Sequence, residues 1–387
     1  MDQPIKEKVS TITVQHGLGR KNIGRQQTMW IEEPGICHLH CSYCYADSGN
    51  KLEENRLLGW EDYVSMLDQA KEQGVDSIGI PGAGEPFIGK NKNLTMRLLH
   101  KCAELGMYVT LFTTGDLLNQ ELVDELYELP VEIMIKGNSL IPEKQDMFVS
   151  NPELGKHAIH HGYGEKRNEA LNLLMAKGFN DPVESMKKFG RKSRMALVTS
   201  IMISSDGRLS NADEIHNILR YCRDRNIIFD VDTVLERGRG AECRLNLNDK
   251  RLKNILRELQ QIDMNEYPEI YRENQWQPGQ GYIGTVCDRY MHHMYVNQYG
   301  DIRPCIGATG VDLGNIRDTR LETAWNKPEM QIIRNREYIG PCAECGNFKE
   351  GRCNSCIGRC GKKELTGEDI INEGGVPTVG CIWQRKG

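Results

Sequence analysis

The chain has 387 residues, of which 39% are hydrophobic, and a formal net charge of -5 at pH 7. This length is enough for one large or two medium domains, whose buried core does not need disulfide bonds. The sequence has no apolar run near the roughly 18 residues of a membrane helix, no basic field for nucleic acid and no apolar leader. We therefore expect a cytoplasmic protein, without membrane or nucleic-acid partners, whose 14 cysteines are reduced.

Six short apolar runs, each bounded by Gly, Pro or polar turn residues, predict β-strands. They are 28–33 (TMWIEE), 76–81 (DSIGIP), 107–112 (MYVTLF), 131–136 (VEIMIK), 195–203 (MALVTSIMI) and 227–235 (IIFDVDTVL). Between them lie amphipathic helical patterns, such as Ile215, Leu219 and Cys222. Repeated strand–helix units predict an α/β fold, a partial (β/α)6 TIM-like barrel with functional residues at the carboxyl ends of its strands. A doubly wound open sheet is the alternative.

The repeating pattern stops after Asp263. Residues 265–284 (NEYPEIYRENQWQPGQGYIG) are rich in Pro, Gly, Asn and Gln and predict a domain boundary. We therefore expect an N-terminal arm over 1–26, a barrel over 27–265 and a cysteine-rich C-terminal domain over 266–387. Because this last domain has little apolar periodicity, we expect metal–thiolate bonds to supply much of its folding free energy. The cysteines after the boundary are Cys287, Cys305, Cys342, Cys345, Cys353, Cys356, Cys360 and Cys381.

Three cysteines lie close together after the first predicted strand, in GICHLHCSYCYADSG (35–49). Thiolates bind zinc or iron–sulfur clusters, and cysteine pairs alone do not separate the two. Cys37, Cys41 and Cys44 have no obvious fourth partner, which favours a 4Fe-4S cluster with one open iron over a closed zinc site. Near the C-terminus, a zinc ribbon could use the CAEC and CNSC pairs, but it would leave the other late cysteines unexplained.

The spacing Cys37-x3-Cys41-x2-Cys44, with Tyr43 before the third cysteine, resembles the motif of the radical S-adenosylmethionine superfamily. The resemblance implies a 4Fe-4S cluster on these thiolates, whose open iron binds the amino and carboxylate groups of S-adenosylmethionine. One electron from the cluster would cleave this cofactor to a 5'-deoxyadenosyl radical, which abstracts hydrogen from a substrate C–H bond. Tyr43 would lie at the cofactor, and an electron donor such as flavodoxin or ferredoxin is implied as a partner.

The second predicted strand ends in PGAGEPF (81–87), which resembles the Gly-Gly-Glu-Pro element of the same superfamily. Small residues let a backbone approach a ligand, and a glutamate can accept hydrogen bonds from an ammonium group. Without the resemblance, the same residues would be read as an ordinary turn. The element would place Gly82, Gly84, Glu85 and Pro86 beside the cofactor, and Ala83 replaces one of the family's glycines.

Polar residues at the ends of the next three strands are candidates for binding the ribose or the carboxylate of the cofactor. Polar strand ends are common in any barrel, so a solvated surface position is the alternative for each. Lys136 is the strongest candidate, because a cation at this point could pair with the methionine carboxylate. The set is Thr113, Thr114, Lys136, Asn138, Thr199 and Ser200.

The late cysteines are similar to the SPASM extension, which binds two auxiliary 4Fe-4S clusters. The resemblance therefore implies three 4Fe-4S clusters in the whole protein. The spacing around Cys353 and Cys356 departs from the family pattern, so the assignment of these two and of Cys360 to one auxiliary cluster or the other stays open. Of the remaining cysteines, Cys102 and Cys222 lie on apolar helix faces and are expected in the core.

The loop after the sixth predicted strand, LERGRGAECRL (235–245), carries candidate catalytic residues. Cys243 could donate a hydrogen atom to a substrate radical from this end of a barrel. Glu236, Arg237 and Arg239 could bind a polar substrate or act as a base. A structural role in the loop is the alternative for all four residues.

The resemblance leaves the reaction open. Peptide-modifying members commonly carry an N-terminal recognition domain, for which the about 26 residues before the first strand are too few. Sulfatase-maturing members have an aspartate after an auxiliary-cluster cysteine, where this chain has Ile306 after Cys305. We favour auxiliary-cluster-assisted oxidation of a small polar substrate of sugar, aminocyclitol or nucleoside type, as in secondary metabolism. The alternatives are a peptide or protein maturase, a radical epimerase with a cysteine hydrogen donor, and an iron–sulfur or zinc scaffold without catalysis.

Overall fold

The computed structural model describes residues 26–203, 209–234, 237–242, 250–274, 289–308, 310–337, 343 and 346–349. Its strands are β1 (Thr28–Ile31), β2 (Ser77–Ile80), β3 (Tyr108–Thr113), β4 (Val131–Lys136), β5 (Met195–Ile201), β6 (Ile228–Thr233), β7 (His293–Val296) and β8 (Ile302–Arg303). Its α-helices are α1 (Trp60–Glu72), α2 (Gly89–Glu104), α3 (Gln120–Glu128), α4 (Pro142–Val149), α5 (Tyr163–Lys177), α6 (Pro182–Phe189), α7 (Ile215–Asp224), α8 (Arg239–Glu242), α9 (Lys250–Glu266), α10 (Pro268–Asn274), α11 (Leu321–Trp325), α12 (Pro328–Asn335) and α13 (Gly346–Lys349).

The strands of the described residues form one sheet in the order β6-β5-β4-β3-β2-β1-β7-β8. Neighbouring strands from β6 to β7 run parallel, and β8 runs antiparallel to β7. At least one helix lies between successive parallel strands along the chain, as crossover connections require. All six strands predicted from the sequence are present, and the partial-barrel prediction is confirmed.

A further parallel strand, β7, lies beside β1 and was not predicted. Residues 28–31 pair with residues 293–296, which belong to the expected C-terminal domain. The sheet therefore continues across the predicted domain boundary. The boundary segment is also partly helical, since α9 extends to Glu266 and α10 begins at Pro268, a residue that suits the first position of a helix. Its remaining residues, 275–284, lie outside the described part of the chain.

Local sequence explains where several helices begin and end. Asn119 and Asp181 precede α3 and α6, and each side chain accepts hydrogen bonds from backbone N–H groups of the first turn. Gly178 and Gly190 end α5 and α6 with φ angles of +97° and +70°. Glycine adopts this left-handed conformation without steric cost, so both helices stop there.

The two faces of the sheet have different surroundings. One face packs against helices in the main hydrophobic core, where Ile78, Leu111, Ile133 and Leu197 are 0% exposed. The other face is called the lumen below. It carries a separate apolar cluster of Met134, Ala196 and Ile228, against which Phe112 and Val198 pack.

Residues 289–337 pack into the same main core as the barrel. Burial of apolar surface stabilises a fold by about 25 cal/mol per Å². The expectation that metal–thiolate bonds supply much of the folding free energy therefore does not describe this part of the C-terminal segment. Its contributions to the main core include Met294, Val296, Ile302, Leu313, Leu321, Trp325, Met330 and Ile333.

Among the described residues, no helix is long and apolar enough to cross a membrane.

Candidate active site

The three cysteines of the first motif lie on one loop, which follows β1 and is called the cysteine loop (residues 32–49). The backbone N–H of Cys44 donates to the carbonyl oxygen of Cys41 at 3.2 Å, so the chain turns sharply between them. Cys37 and Cys41 both pack against the apolar cluster that contains Tyr163. The structure thus places the predicted triad on one loop at the carboxyl end of a parallel strand.

The surroundings of the thiols fit a cationic cluster. Burial raises the pKa of Cys41 to about 12, and the neighbouring Cys44 thiol acts in the same direction. Burial raises the pKa of Cys37 further, again with a contribution from the other two thiols. Three thiolates at this place therefore need a nearby positive charge, which iron would supply. The donor set is suitable for the 4Fe-4S cluster that the motif predicts.

The loop after β2 packs directly against the cysteine loop. A Cβ atom on Gly84 would lie 2.3 Å from the carbonyl oxygen of Pro34 and 2.5 Å from that of Ile36, so a larger residue does not fit. The backbone N–H of Glu85 donates to the same Ile36 oxygen at 2.8 Å. Gly82 has a φ angle of +116°, which favours glycine. Gly84 therefore allows the two loops to approach closely, and Gly82 allows the backbone conformation of the loop after β2.

Glu85 is 1% exposed and held by two of the other predicted residues. The Thr113 hydroxyl donates to its Oε1 at 2.6 Å, and the backbone N–H of Thr114 donates to its Oε2 at 2.7 Å. Burial raises the pKa of Glu85, and these hydrogen bonds oppose the rise. In this structure Thr113 and Thr114 thus orient the carboxylate, whereas the sequence analysis placed them at the ribose or carboxylate of the cofactor.

On the lumen side of the sheet, Lys136 lies near two other predicted residues, Ser200 and Tyr43. Its Nζ donates to the Ser200 hydroxyl at 2.7 Å and lies 5.3 Å from the ring centroid of Tyr43. Burial lowers the pKa of Lys136 to about 8. Asn138 supports this group, because its Oδ1 accepts from the backbone N–H of Ser200 at 2.8 Å. Thr199, by contrast, is buried and donates to the Gly137 carbonyl oxygen.

Two aspartates of β6 are close to Lys136, and the sequence analysis did not identify them. Asp230 is 4% exposed, and Asp232 follows two residues later on the same face of the strand. Both carboxylates favour the charged form of Lys136. The available signal was a pair of acids at alternate positions of IIFDVDTVL, a pattern that indicates one polar face rather than a core strand.

A further buried carboxylate, Glu32, lies just after β1 and was also missed. Burial raises its pKa, while the Tyr295 and Tyr45 side chains and the charge of Arg237 oppose the rise. The Arg237 Nη1 also donates to the carbonyl oxygen of Ile306 at 2.6 Å, next to a predicted auxiliary-cluster cysteine. This group of residues therefore connects the cysteine loop with the C-terminal segment.

Arg239 braces the cysteine loop. Its Nε donates to the Cys41 carbonyl oxygen at 2.9 Å, and its Nη1 donates to Asp47 Oδ1 at 2.8 Å and to the Ser48 carbonyl oxygen at 2.9 Å. The sequence analysis considered substrate binding or base catalysis for this residue. In this structure its guanidinium instead supports the loop that carries the triad.

Most of the predicted auxiliary ligands and the two predicted catalytic residues lie outside the described residues, and their roles stay predictions. Cys305 is described; it follows β8 and packs against the main core. Cys102 and Cys222 are 0% exposed in the core, as expected. The residues outside the described part are Glu236, Cys243, Cys287, Cys342, Cys345, Cys353, Cys356, Cys360 and Cys381.

A groove of about 480 Å³ lies beside this site. Its wall includes Ile141 and Met147, which are 50% and 55% exposed. Phe148 also lines the groove and packs in a cluster with Tyr43 of the cysteine loop. The groove therefore shares one side chain with the surroundings of the triad. The other lining residues are Glu143, Lys144, Leu209, Ser210 and Asp213.

Comparison with known families agrees with the geometry of the site. The radical SAM superfamily model matches residues 34–186, which include the triad and Glu85. The chain belongs to the radical S-adenosylmethionine superfamily and is a radical S-adenosylmethionine enzyme. A model of the SPASM iron-sulfur cluster-binding domain matches residues 287–346, so these residues belong to that extension.

Similar proteins have several activities. The PqqA peptide cyclase of Granulibacter bethesdensis is 24% identical over 87% of this chain and 83% of its own length. The GTP 3',8-cyclase of Helicobacter pylori is 21% identical over 79% of this chain and 91% of its own length. The structure of Streptococcus suis SuiB bound to S-adenosylmethionine has a TM-score of 0.55 at 18% identity, and the match covers 84% of this chain and 69% of SuiB. This last likeness concerns the fold.

Proposed function

We propose that the protein cleaves S-adenosylmethionine reductively and abstracts hydrogen from a C–H bond of a small polar substrate, which is then oxidised with the help of an auxiliary cluster. The observation that carries the substrate class is the polar end of the lumen. Lys136, Ser200, Asp230 and Asp232 lie there together, close to the ring of Tyr43 from the cysteine loop. A lumen with these side chains suits a sugar, an aminocyclitol or a nucleoside better than an apolar substrate.

The protein's own residues would hold and orient the cofactor. A 4Fe-4S cluster on Cys37, Cys41 and Cys44 would supply the electron for cleavage. Glu85, already oriented by the two threonines, would accept hydrogen bonds from the ammonium of S-adenosylmethionine. Lys136 would pair with the carboxylate of the same ligand.

The C-terminal segment would take up the second electron of an oxidation. The eight late cysteines are enough for two auxiliary 4Fe-4S clusters. Arg237 binds the backbone next to Cys305, so one predicted ligand lies within reach of the barrel. The division into an arm, a barrel and a SPASM domain at residues 26 and 265 is part of this proposal, as are Glu236 as a base and Cys243 as a hydrogen donor for the epimerase alternative.

The experiment is a stimulation assay on anaerobically reconstituted, reduced protein. Amino sugars, aminocyclitols, nucleosides and peptides are added separately, and the rate of 5'-deoxyadenosine formation is measured. The proposal expects stimulation by one of the small polar compounds and formation of an oxidised product. Stimulation by peptides alone would reject the substrate class and leave the radical chemistry intact.

A peptide substrate is the second candidate. It is supported by the likeness to the PqqA peptide cyclase over 87% of this chain and by the open groove beside the site. The exposed side chains of Ile141 and Met147 could contact apolar residues of an extended peptide. Met147→Asp would then abolish stimulation by a peptide, whereas stimulation by a small molecule in the lumen would not change.

A further inference from the structure

Residues 237–240 (RGRG), called the RGRG segment below, pack directly against the cysteine loop. The backbone N–H of Gly240 donates to the carbonyl oxygen of Cys44 at 3.3 Å. Gly238 has a φ angle of +54°, and a Cβ atom on it would lie 2.5 Å from the Tyr45 carbonyl oxygen and 2.7 Å from that of Cys44. Both neighbours of Arg239 are therefore held close to the backbone of the cysteine loop.

Two of the three nitrogens of the Arg239 guanidinium have acceptors in the chain. Nε donates to the Cys41 carbonyl oxygen, and Nη1 donates to Asp47 Oδ1 and to the Ser48 carbonyl oxygen. The third nitrogen, Nη2, is buried and has no hydrogen-bond partner within the described part of the chain. Because a buried donor without an acceptor is destabilising, this N–H group calls for a partner that the protein part of the site does not supply.

The orientation of the guanidinium directs Nη2 toward Cys41. Nε and Nη2 donate from the same edge of a guanidinium, as they do in Arg223, where they bind the two carboxylate oxygens of Asp263. Since Nε of Arg239 donates to the Cys41 backbone, its Nη2 points to the same side. Burial raises the pKa of the Cys41 thiol to about 12, and the charge of Arg239 opposes this rise. The N–H group thus lies on the side of a predicted cluster ligand.

We propose that Arg239 Nη2 donates a hydrogen bond to a sulfur of the 4Fe-4S cluster on the triad and thereby makes this cluster easier to reduce. On reduction the cluster gains one electron from an external reductant, and its sulfurs become more negative. A charged N–H donor stabilises the reduced form more than the oxidised form, so it raises the reduction potential. This inference rests on the proposed binding of the cluster by Cys37, Cys41 and Cys44, and it does not depend on the substrate.

The first test detects the Arg239 nitrogen at the cluster. The full chain is labelled with ¹⁵N in its arginine side chains, reconstituted anaerobically with iron and sulfide, and reduced with dithionite in the absence of S-adenosylmethionine. The EPR signal of the triad cluster is the one that is missing when the three triad cysteines are replaced by Ala. Pulsed EPR should show a ¹⁵N coupling to this signal, which Arg239→Lys abolishes. Arg220→Lys is the matched change at the surface, where Arg220 pairs with Glu266, and should retain the coupling.

The second test compares reduction potentials by EPR-monitored titration. Arg239→Lys keeps the positive charge but loses the paired N–H groups of the guanidinium. Its equilibrium constant for one-electron reduction of the triad cluster should fall about tenfold, which corresponds to about 59 mV. Asp47→Asn changes a partner of Nη1 but leaves Nη2 in place. Because the Asp47 side chain is 43% exposed and its charge is screened, this variant should not lower the equilibrium constant.

Three results would overturn the inference. They are absence of a ¹⁵N coupling in the unchanged protein, an unchanged potential in Arg239→Lys with full iron content, and an equal decrease in Asp47→Asn, which would indicate a loosened loop as the cause. If Arg239→Lys does not retain the cluster, Arg237→Lys decides: it replaces the neighbouring arginine and should keep the coupling, whereas loss of the coupling there would assign it to Arg237.

Failure of the proposed function would show in different measurements. If the triad does not bind the cluster, replacing its three cysteines by Ala would leave the EPR spectrum unchanged. If the enzyme does not oxidise a small polar substrate, the stimulation assay would fail, while the coupling and the potential, which are measured without substrate, would stay as expected.

Discussion

The two cysteine-bearing parts of the chain are built in different ways. The cysteine loop combines two small apolar clusters with polar and backbone contacts, namely the close approach of Gly84 and the three hydrogen bonds of Arg239. Residues 289–337 are instead fixed by apolar side chains in the main core, and Cys305 follows β8 at the edge of that packing. The comparison indicates that contacts within the chain hold the cysteine loop against the loop after β2, whereas residues 289–337 share the hydrophobic core of the barrel.

Replacing the three cysteines of the triad tests whether contacts within the chain hold the cysteine loop, and it has the largest expected effect on activity. Replacing Cys37, Cys41 and Cys44 together by Ala should abolish S-adenosylmethionine cleavage and lower the iron content from about 12 to about 8 per chain, because two auxiliary clusters would remain. Circular dichroism and the unfolding temperature should stay close to those of the unchanged protein, since other contacts shape the loop. An unfolded variant would show that the cluster itself builds this site.

Gly84→Ala should have the next largest effect. The added Cβ would lie 2.3 Å from the Pro34 carbonyl oxygen, so the two loops must separate. We expect S-adenosylmethionine affinity to fall by about 100-fold, corresponding to about 2.7 kcal/mol. Gly59→Ala is the matched control, because its nearest contact would be 3.8 Å from Asp62. Equilibrium dialysis measures the S-adenosylmethionine affinity of both variants. Equal affinities of the two variants would show that the contact between the two loops does not control cofactor binding.

Glu85→Gln should weaken S-adenosylmethionine binding by about 10- to 100-fold without loss of iron, because a hydrogen bond to a charged group is worth about 1.5 to 3 kcal/mol. Burial raises the pKa of Glu85 above its usual 4.5. Affinity should therefore be complete above this raised pKa and decline as the pH falls through it. The Gln variant should lack this decline. Two results would show that Glu85 does not bind the ammonium. One is the same pH profile in the Gln variant and the unchanged protein, and the other is unchanged cleavage by the variant at limiting S-adenosylmethionine.

Cys243→Ala should have the smallest effect. If the substrate radical is oxidised through an auxiliary cluster, no thiol hydrogen is needed, and turnover should change by less than about twofold. Each product should consume one S-adenosylmethionine, and the attacked carbon should gain no deuterium from heavy water. A product that keeps its oxidation state and carries deuterium would indicate epimerisation instead, and arrest of turnover in the variant would identify Cys243 as the donor.

The sequence was sufficient for the parts of the site that depend on local patterns. The six strands follow from apolar runs with turn residues at their ends, and the spacing of Cys37, Cys41 and Cys44 needs only one loop. β7 was missed because a four-residue strand within an irregular region carries little periodic signal. Its place beside β1 depends on a contact between residues more than 260 positions apart.

The hydrogen bonds between residues at the ends of different strands could not be predicted from the sequence either. Thr113, Thr114 and Ser200 were recognised as polar strand ends, but a sequence does not show that the first two bind Glu85 and the third binds Lys136. Asp230 and Glu32 were overlooked for a different reason. Each lies within a run that was classified by its apolar neighbours, although an acid in such a run often marks a polar lumen or a buried site.

The pairing of β7 with β1 has a consequence for modularity. A shortened chain that stops before residue 289 would lack β7 and expose the β1 edge, with the unpaired N–H and C=O groups of residues 28–31. Exposed sheet edges promote association between chains. The barrel therefore cannot be combined with any other C-terminal segment. A chimera that exchanges these segments between enzymes must supply a strand that pairs with β1 as well as the right cysteines.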